Sequence, residues 1–309
     1  MPPVYSQPEL SISIAGLRLQ RPVGNASGIL GWEPREARLV EEGGGGFFVA
    51  KSVTYQPRKG YPQPHLYPVA GGIVNAVGLA NPGFREASKM LAQTVEEASI
   101  PVIASIAGGA PGEWVEMAST LEEAGVSAVE LNLSCPHFAG GGLELGQDPA
   151  AVASVVSAVA STLRIPVIAK LGYSDRLVDA ASKALEAGAR GLTLINSMRA
   201  MKIDVYAKKP VLGNRVGGLS GKPIHPIAVR AVYEVYGETR ADIFAAGGVE
   251  SWEDAVEFYL AGAKAVQVGA AFITIGPHVL RSIVEGVRRY LWVEGFRSLQ
   301  DIVGYAHRA

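Results

Sequence analysis

The chain has 309 residues, 48% of them hydrophobic and 18% charged, with a formal net charge of −1. That is enough apolar material for one large core or two small ones, and it offers no basic field for nucleic acid or an anionic membrane. A single cysteine excludes an internal disulfide and fits a reducing compartment. With no leader of charged then apolar residues and no apolar run long enough for a bilayer, a cytoplasmic chain without membrane or nucleic-acid partners is expected.

Residues 21–26 read as a short strand ending in Asn25-Ala26-Ser27-Gly28. A helix follows over 34–42, with Pro34 in its first turn, where a missing N–H costs nothing. Four glycines from Gly43 end it. A second buried strand, 47–50, carries Lys51 and Ser52 at its C-terminal end. The proline- and glycine-rich stretch 55–82 is too long for an ordinary connection, which marks it as functional. It holds Asn75-Ala-Val-Gly78-Leu79.

Helix, strand and helix come next over 84–98, 101–105 and 112–124. The strand 128–133 alternates Val129, Leu131 and Leu133 with Glu130 and Asn132. It breaks into Ser134-Cys135-Pro136-His137 and the glycines Gly140, Gly141 and Gly142. Pro136 restricts Cys135 to an extended backbone, and the glycines let the loop move. A helix is predicted over 149–163, a strand over 166–170 ending on Lys170, a helix over 176–187, and a strand over 191–195 running into Asn196-Ser197. A second long excursion, 198–223, contains Gly217-Gly-Leu-Ser-Gly221. The last units are a helix over 226–236, a strand over 242–246 before Gly247-Gly248, a helix over 251–261 with Ser251 as N-cap, a strand over 264–268 before Gly269-Ala270, and a closing helix over 276–290.

Eight short, nearly continuous apolar strands alternating with amphipathic helices indicate a parallel sheet covered by helices. Gly125, Gly188 and Gly262 each follow a helix and precede a strand, the place of a C′ glycine. The α/β fold expected is a (β/α)8 barrel, one domain over 1–309, with long loop insertions at its C-terminal face. A doubly wound sheet is the alternative, disfavoured because no Gly-x-Gly-x-x-Gly follows the first strand.

In such a barrel the reacting groups stand where strands end. Those positions hold Asn25, Ser27, Lys51, Ser52, Asn132, Cys135, Lys170, Asn196, Ser197, Gly247, Gly248 and Gly269, whereas strand interiors are almost wholly apolar. Two lysines and several amides suit an anionic, amide-rich planar ligand. Glycines after the seventh and eighth strands suit a phosphate held on backbone N–H groups, so a phosphate-bearing cofactor is expected. The histidines are scattered, so no metal site and no Ser-His-Asp arrangement is indicated. Plainer readings stand beside these. Cys135 serves equally as a small buried hydrophobe, Gly247-Gly248 as a tight turn, and Asn196-Ser197 as a cap for loop backbone. His225 reads as the start of a helix with no part in chemistry. Trp252, Phe258 and Tyr259 read as packing.

Asn132-Leu-Ser-Cys135-Pro136, Asn75-Ala-Val-Gly-Leu79, Lys170-Leu171, Ile195-Asn-Ser197 and Gly217-Gly-Leu-Ser-Gly221 stand in the order found in class 1 dihydroorotate dehydrogenases, and the chain resembles them over roughly 10–289. The resemblance implies an FMN enzyme of pyrimidine biosynthesis that oxidises (S)-dihydroorotate to orotate. It implies Cys135 as the general base. It implies a substrate cradle of Lys51, Asn75, Gly78, Leu79, Asn132, Asn196 and Ser197. The FMN site it implies comprises Ala26, Ser27, Lys51, Ser52, Asn132, Lys170, Ile195, Gly221, Gly247, Gly248, Gly269 and Ala270, with Lys170 at the N1–O2 edge of the flavin.

Cysteine rather than serine as the base sets the chain apart from class 2, and Gly217-Gly-Leu-Ser-Gly221 with the insert 198–214 before it resembles class 1B rather than class 1A. That subclass implies a homodimer and a second subunit carrying FAD and a [2Fe–2S] cluster that passes electrons to NAD. One cysteine cannot supply the four thiolates of such a cluster, so those centres belong on another chain. Two positions depart from the pattern. His137 stands where asparagine is common, and Ala270 stands where a hydroxyl would give the phosphate one more bond.

Overall fold

The computed structural model describes residues 7–134 and 145–308. Eight strands form one parallel sheet: β1 Val23–Asn25, β2 Phe48–Val49, β3 Val102–Ile106, β4 Ala128–Asn132, β5 Val167–Leu171, β6 Gly191–Leu194, β7 Ile243–Ala246 and β8 Ala265–Val268. Each strand pairs with its sequence neighbours, β8 pairs with β1, and a parallel bridge between Gly24 and Phe47 closes the ring between β1 and β2. Closure excludes the doubly wound alternative.

The ladder between β1 and β2 is short, and a side chain substitutes for it. The Asn25 amide donates to the Val49 carbonyl at 2.7 Å and accepts the Val49 N–H at 3.0 Å. Asn25 is fully buried, so this expected rim residue is a structural stitch.

The outer ring is α1 Pro34–Glu42, α2 Phe84–Glu97, α3 Pro111–Glu123, α4 Pro149–Ala160, α5 Leu177–Glu186, α6 His225–Thr239, α7 Trp252–Ala261 and α8 Val279–Val293. Their apolar faces bury Leu91, Trp114, Val156, Phe258 and Tyr259 against the barrel. Ser251 caps α7 in a reciprocal box with Asp254. Gly125, Gly188 and Gly262 have positive φ where the chain leaves a helix for a strand. None of the described helices is long and apolar enough to cross a membrane.

Inside the ring, the Phe47 and Phe244 rings meet edge-on at 5.6 Å. Gly24 makes room for this, because a Cβ there would fall 2.7 Å from the Phe47 ring. Below, an antiparallel hairpin of Ile12–Ile14 and Leu17–Leu19 meets the N-terminal ends of the strands. There the Ala15 N–H donates to Asp242 at 2.6 Å, and Lys264 pairs with the same carboxylate at 2.5 Å.

The two long excursions, read from sequence as loops, are corrected to one antiparallel sheet. Leu66–Val69 and Gly72–Asn75 come from the first, Met198–Ala200 and Gly217–Gly221 from the second, and the two central strands pair Asn75 with Gly218 and Gly72 with Gly221. Backbone pairing across 143 residues orders two glycine-rich stretches that neither could order alone.

Candidate active site

Between the C-terminal ends of the strands and this second sheet lies a cavity of about 580 Å³. β1 leads Ala26 and Ser27 into its wall, and β2 leads Lys51 and Ser52. Asn132 ends β4, Lys170 lies in β5, and Ile195, Asn196 and Ser197 follow β6. Gly247 and Gly248 follow β7, Gly269 and Ala270 follow β8. The second sheet and its connection supply Asn75, Gly78, Leu79 and Gly221. Cys135 and His137 lie outside the described residues.

The polar groups form one hydrogen-bonded belt. Ser27 donates to the Ala50 carbonyl at 2.9 Å, and its oxygen is 3.3 Å from that of Ser52. Asn132 Nδ2 donates to Ser52 at 3.1 Å. Asn196 Nδ2 donates to Asn132 Oδ1 at 3.2 Å, and Ser134 donates to the same oxygen at 3.1 Å. Asn132 is held at both ends, and so is Asn196, whose Oδ1 accepts the Ser197 N–H at 2.8 Å, which fixes the orientation of each amide.

The strand interiors are less apolar than expected. Glu130 is fully buried within the barrel, one inward position below Asn132. Its Oε1 lies 3.5 Å from Lys170 Nζ and accepts from Ser105 at 3.2 Å. Its Oε2 accepts from Thr193 at 2.9 Å and from Gln267 Nε2 at 3.2 Å. Four side chains thus satisfy one buried carboxylate, which a charge at that depth requires. Sequence reading missed Ser105, Glu130, Thr193 and Gln267. Their signal was a polar residue at inward parity in an apolar strand, ambiguous until closure brings them together.

The cavity is electrostatically one-sided. Lys51, Lys170 and Arg199 line it, and no carboxylate does so among the described residues. Burial pushes the Lys51 ammonium below its ordinary value, while Glu36 pulls it back. The Lys51 chain runs beside Trp32, whose indole N–H donates to the Lys51 carbonyl at 2.7 Å. Gly247 and Gly248 both have positive φ, and the Gly248 N–H has no acceptor among the described residues. A Cβ on Gly248 would fall 2.7 Å from the Gly221 carbonyl oxygen, so the turn must present bare backbone. Gln267 Oε1 is a buried acceptor without a donor among the described residues. Free backbone donors, cationic walls and a shelf of amides fit a phosphate-bearing, amide-rich planar cofactor together with an anionic substrate.

Among the described residues one grouping could hold a cation: His225, Asp254 and Glu257, with ligand atoms within 4.8 Å of one another. His225 opens α6 and the two carboxylates stand one turn apart on α7, beneath the Gly247 turn and away from the cavity lining.

The dihydroorotate dehydrogenase family model matches residues 9–291. The dihydroorotate dehydrogenase B (NAD(+)) catalytic subunit of Pyrococcus furiosus is 44% identical over 300 residues, covering 97% of this chain and 99% of that protein. The protein of the same name from Thermococcus kodakarensis is 45% identical over 302 residues, covering 96% and 98%. Among solved structures, ligand-free dihydroorotate dehydrogenase from Eimeria tenella superposes with a TM-score of 0.86 and 25% identity, covering 100% of this chain and 94% of that one. With the barrel, the belt of amides and this extent of likeness together, the chain belongs to the flavin-dependent dihydroorotate dehydrogenase family, on its B-type branch.

Proposed function

We propose that this chain holds FMN and oxidises (S)-dihydroorotate to orotate in pyrimidine biosynthesis. The observation that carries the reading is one cavity lined by Lys51, Lys170, four asparagines and the bare Gly247–Gly248 turn, with no described carboxylate. FMN, when bound, supplies the acceptor for the two electrons that leave C6 of the substrate as hydride.

The chain's own residues bind and position. Gly248, Gly269 and Ala270 offer backbone N–H groups to the phosphate, with Gly247 shaping the turn and Gly221, Ala26 and Ser27 bounding that end. Lys170, held by Glu130, would place a fixed positive charge against the N1–O2 edge of the flavin and so stabilise negative charge there. Ser52 and Ile195, on the cavity wall, would belong to the same flavin site. Asn75, Asn132 and Asn196 read the amide edges of the substrate, and Ser197, Gly78 and Leu79 close around it. Lys51 meets the substrate carboxylate and the adjoining flavin edge, serving both partners. Cys135 takes the C5 proton as thiolate, the form required of a base. The second sheet covers the mouth and excludes water.

The B-type relatives are named as catalytic subunits. The reading therefore includes a homodimer of single-domain chains in the cytoplasm, joined by a second subunit that carries FAD and a [2Fe–2S] cluster and delivers electrons to NAD. The isolated chain should turn over poorly with NAD. The deciding experiment is anaerobic titration of the purified protein with dihydroorotate while following flavin absorbance. Stoichiometric bleaching is expected, and an unreduced flavin would end the reading.

A further inference from the structure

His225 opens α6 and is buried at 5% exposure directly behind the Gly247–Gly248 turn. Its Nδ1 lies 2.9 Å from the Gly247 carbonyl oxygen, and its Nε2 lies 2.8 Å from Glu257 Oε2 on α7. Asp254 Oδ1, also on α7, is 3.6 Å from the same Nε2. The edge of the ring meets Phe258, with centroids 4.9 Å apart. Lys222, just ahead of α6, pairs with Asp254, which also accepts the Glu250 and Ser251 N–H groups. Each ring nitrogen therefore faces an oxygen that can only accept. The ring is thereby fixed between the turn and α7, with Nδ1 turned to the Gly247 carbonyl.

The bond to Gly247 has a directional consequence. A trans peptide is planar, with the N–H of the next residue opposed to its carbonyl. Pinning the Gly247 oxygen toward His225 turns the Gly248 N–H the other way, toward the cavity that both glycines line. Glycine leaves this peptide easy to rotate, so an unpinned turn would sample other orientations. The clearance is small, since a Cβ on Gly248 would also fall 2.7 Å from the Cβ of His225.

We propose that His225 is a positioning residue for the cofactor phosphate: clamped by Glu257 and Asp254, it locks the Gly247–Gly248 peptide with its N–H aimed into the cavity. This rests on the reading of that turn as the phosphate seat. The test compares FMN with riboflavin, which lacks the phosphate, by quenching of flavin fluorescence on the flavin-stripped full chain. Wild type should prefer FMN. His225→Phe should lose about ten-fold in FMN affinity and leave riboflavin binding unchanged. Glu257→Gln alters a side chain that is 60% exposed, so it keeps the fold and carries the test if His225→Phe does not fold; it should erode the same preference by a smaller factor.

A wild-type FMN preference retained in full by the variants would overturn the role of His225 and leave the phosphate seat standing. Equal losses for both flavins would reduce His225 to general packing and overturn it likewise. No preference in wild type would remove the phosphate seat, and this inference with it.

Discussion

Replacing Glu130 with leucine strips Lys170 of its partner without opening a large cavity. Both side chains are out of solvent, at 0% and 5% exposure, with 3.5 Å between charges. Removing one member of a buried pair costs about 3–5 kcal/mol, because the other charge stays desolvated and unpaired. Unfolding entropy near 2.1 cal/mol/K per residue gives about 0.65 kcal/mol/K for 309 residues, so Tm should fall by about 5–8 °C. Calorimetry on the flavin-free protein reads this directly. Replacing both partners, Glu130→Leu with Lys170→Met, should recover part of the loss, since no buried charge is left while Ser105, Thr193 and Gln267 still lose their acceptor. A single variant within about 1 °C of wild type, or a double variant no more stable than the single, would refute the claim that Glu130 holds the Lys170 charge.

Cys135→Ser should keep bound flavin but slow its reduction by dihydroorotate about a hundred-fold or more, because a serine hydroxyl is far harder to deprotonate; an unchanged rate in stopped flow would remove Cys135 from the chemistry. Lys51→Ala should weaken orotate binding by roughly ten- to hundred-fold, the worth of a charge-assisted bond, as read by flavin difference spectra. Because burial lowers the Lys51 ammonium against the pull of Glu36, wild-type orotate affinity should decline with rising pH before an ordinary lysine would lose its charge. A Lys51→Met variant should lack that decline, and an identical profile in both would exclude Lys51 as the group responsible. For Asp254, burial acts to raise the carboxyl, but the Lys222 bond, the Glu250 N–H and His225 outweigh it and leave it below its ordinary value of 3.8. A depressed carboxyl contributes stability that is complete above that value and lost as pH falls through the lower folded value. Thermal melts below about pH 4 should therefore drop less steeply in Asp254→Asn than in wild type, and parallel slopes would contradict this.

Much of this protein was readable before any coordinates, and the reason is locality. A helix or a buried strand is set by periodicity and by its ends, so Pro34, Ser251 and the three joint glycines marked element boundaries that the structure keeps. The alternation of strand and helix then led to a barrel, and a barrel led to its strand ends. The described rim residues expected to hold ligand, from Ala26 to Ala270, line one cavity; Cys135 lies outside the described residues. What stayed hidden needed partners distant along the chain. Gly217–Gly221 reads as a loop because glycine has little preference for a strand, and it becomes one only where the strand Gly72–Asn75 offers its open edge. Glu130, Thr193 and Gln267 look like isolated exceptions in apolar strands until ring closure joins them at one carboxylate. His225 looks like an ordinary helix start until α7 folds back to set Glu257, 32 residues later, against its ring. Local chain chemistry determined the elements and the inventory of reactive groups; closure of the barrel decided which of those groups touch, because contacts across the ring depend on a geometry that no short stretch contains.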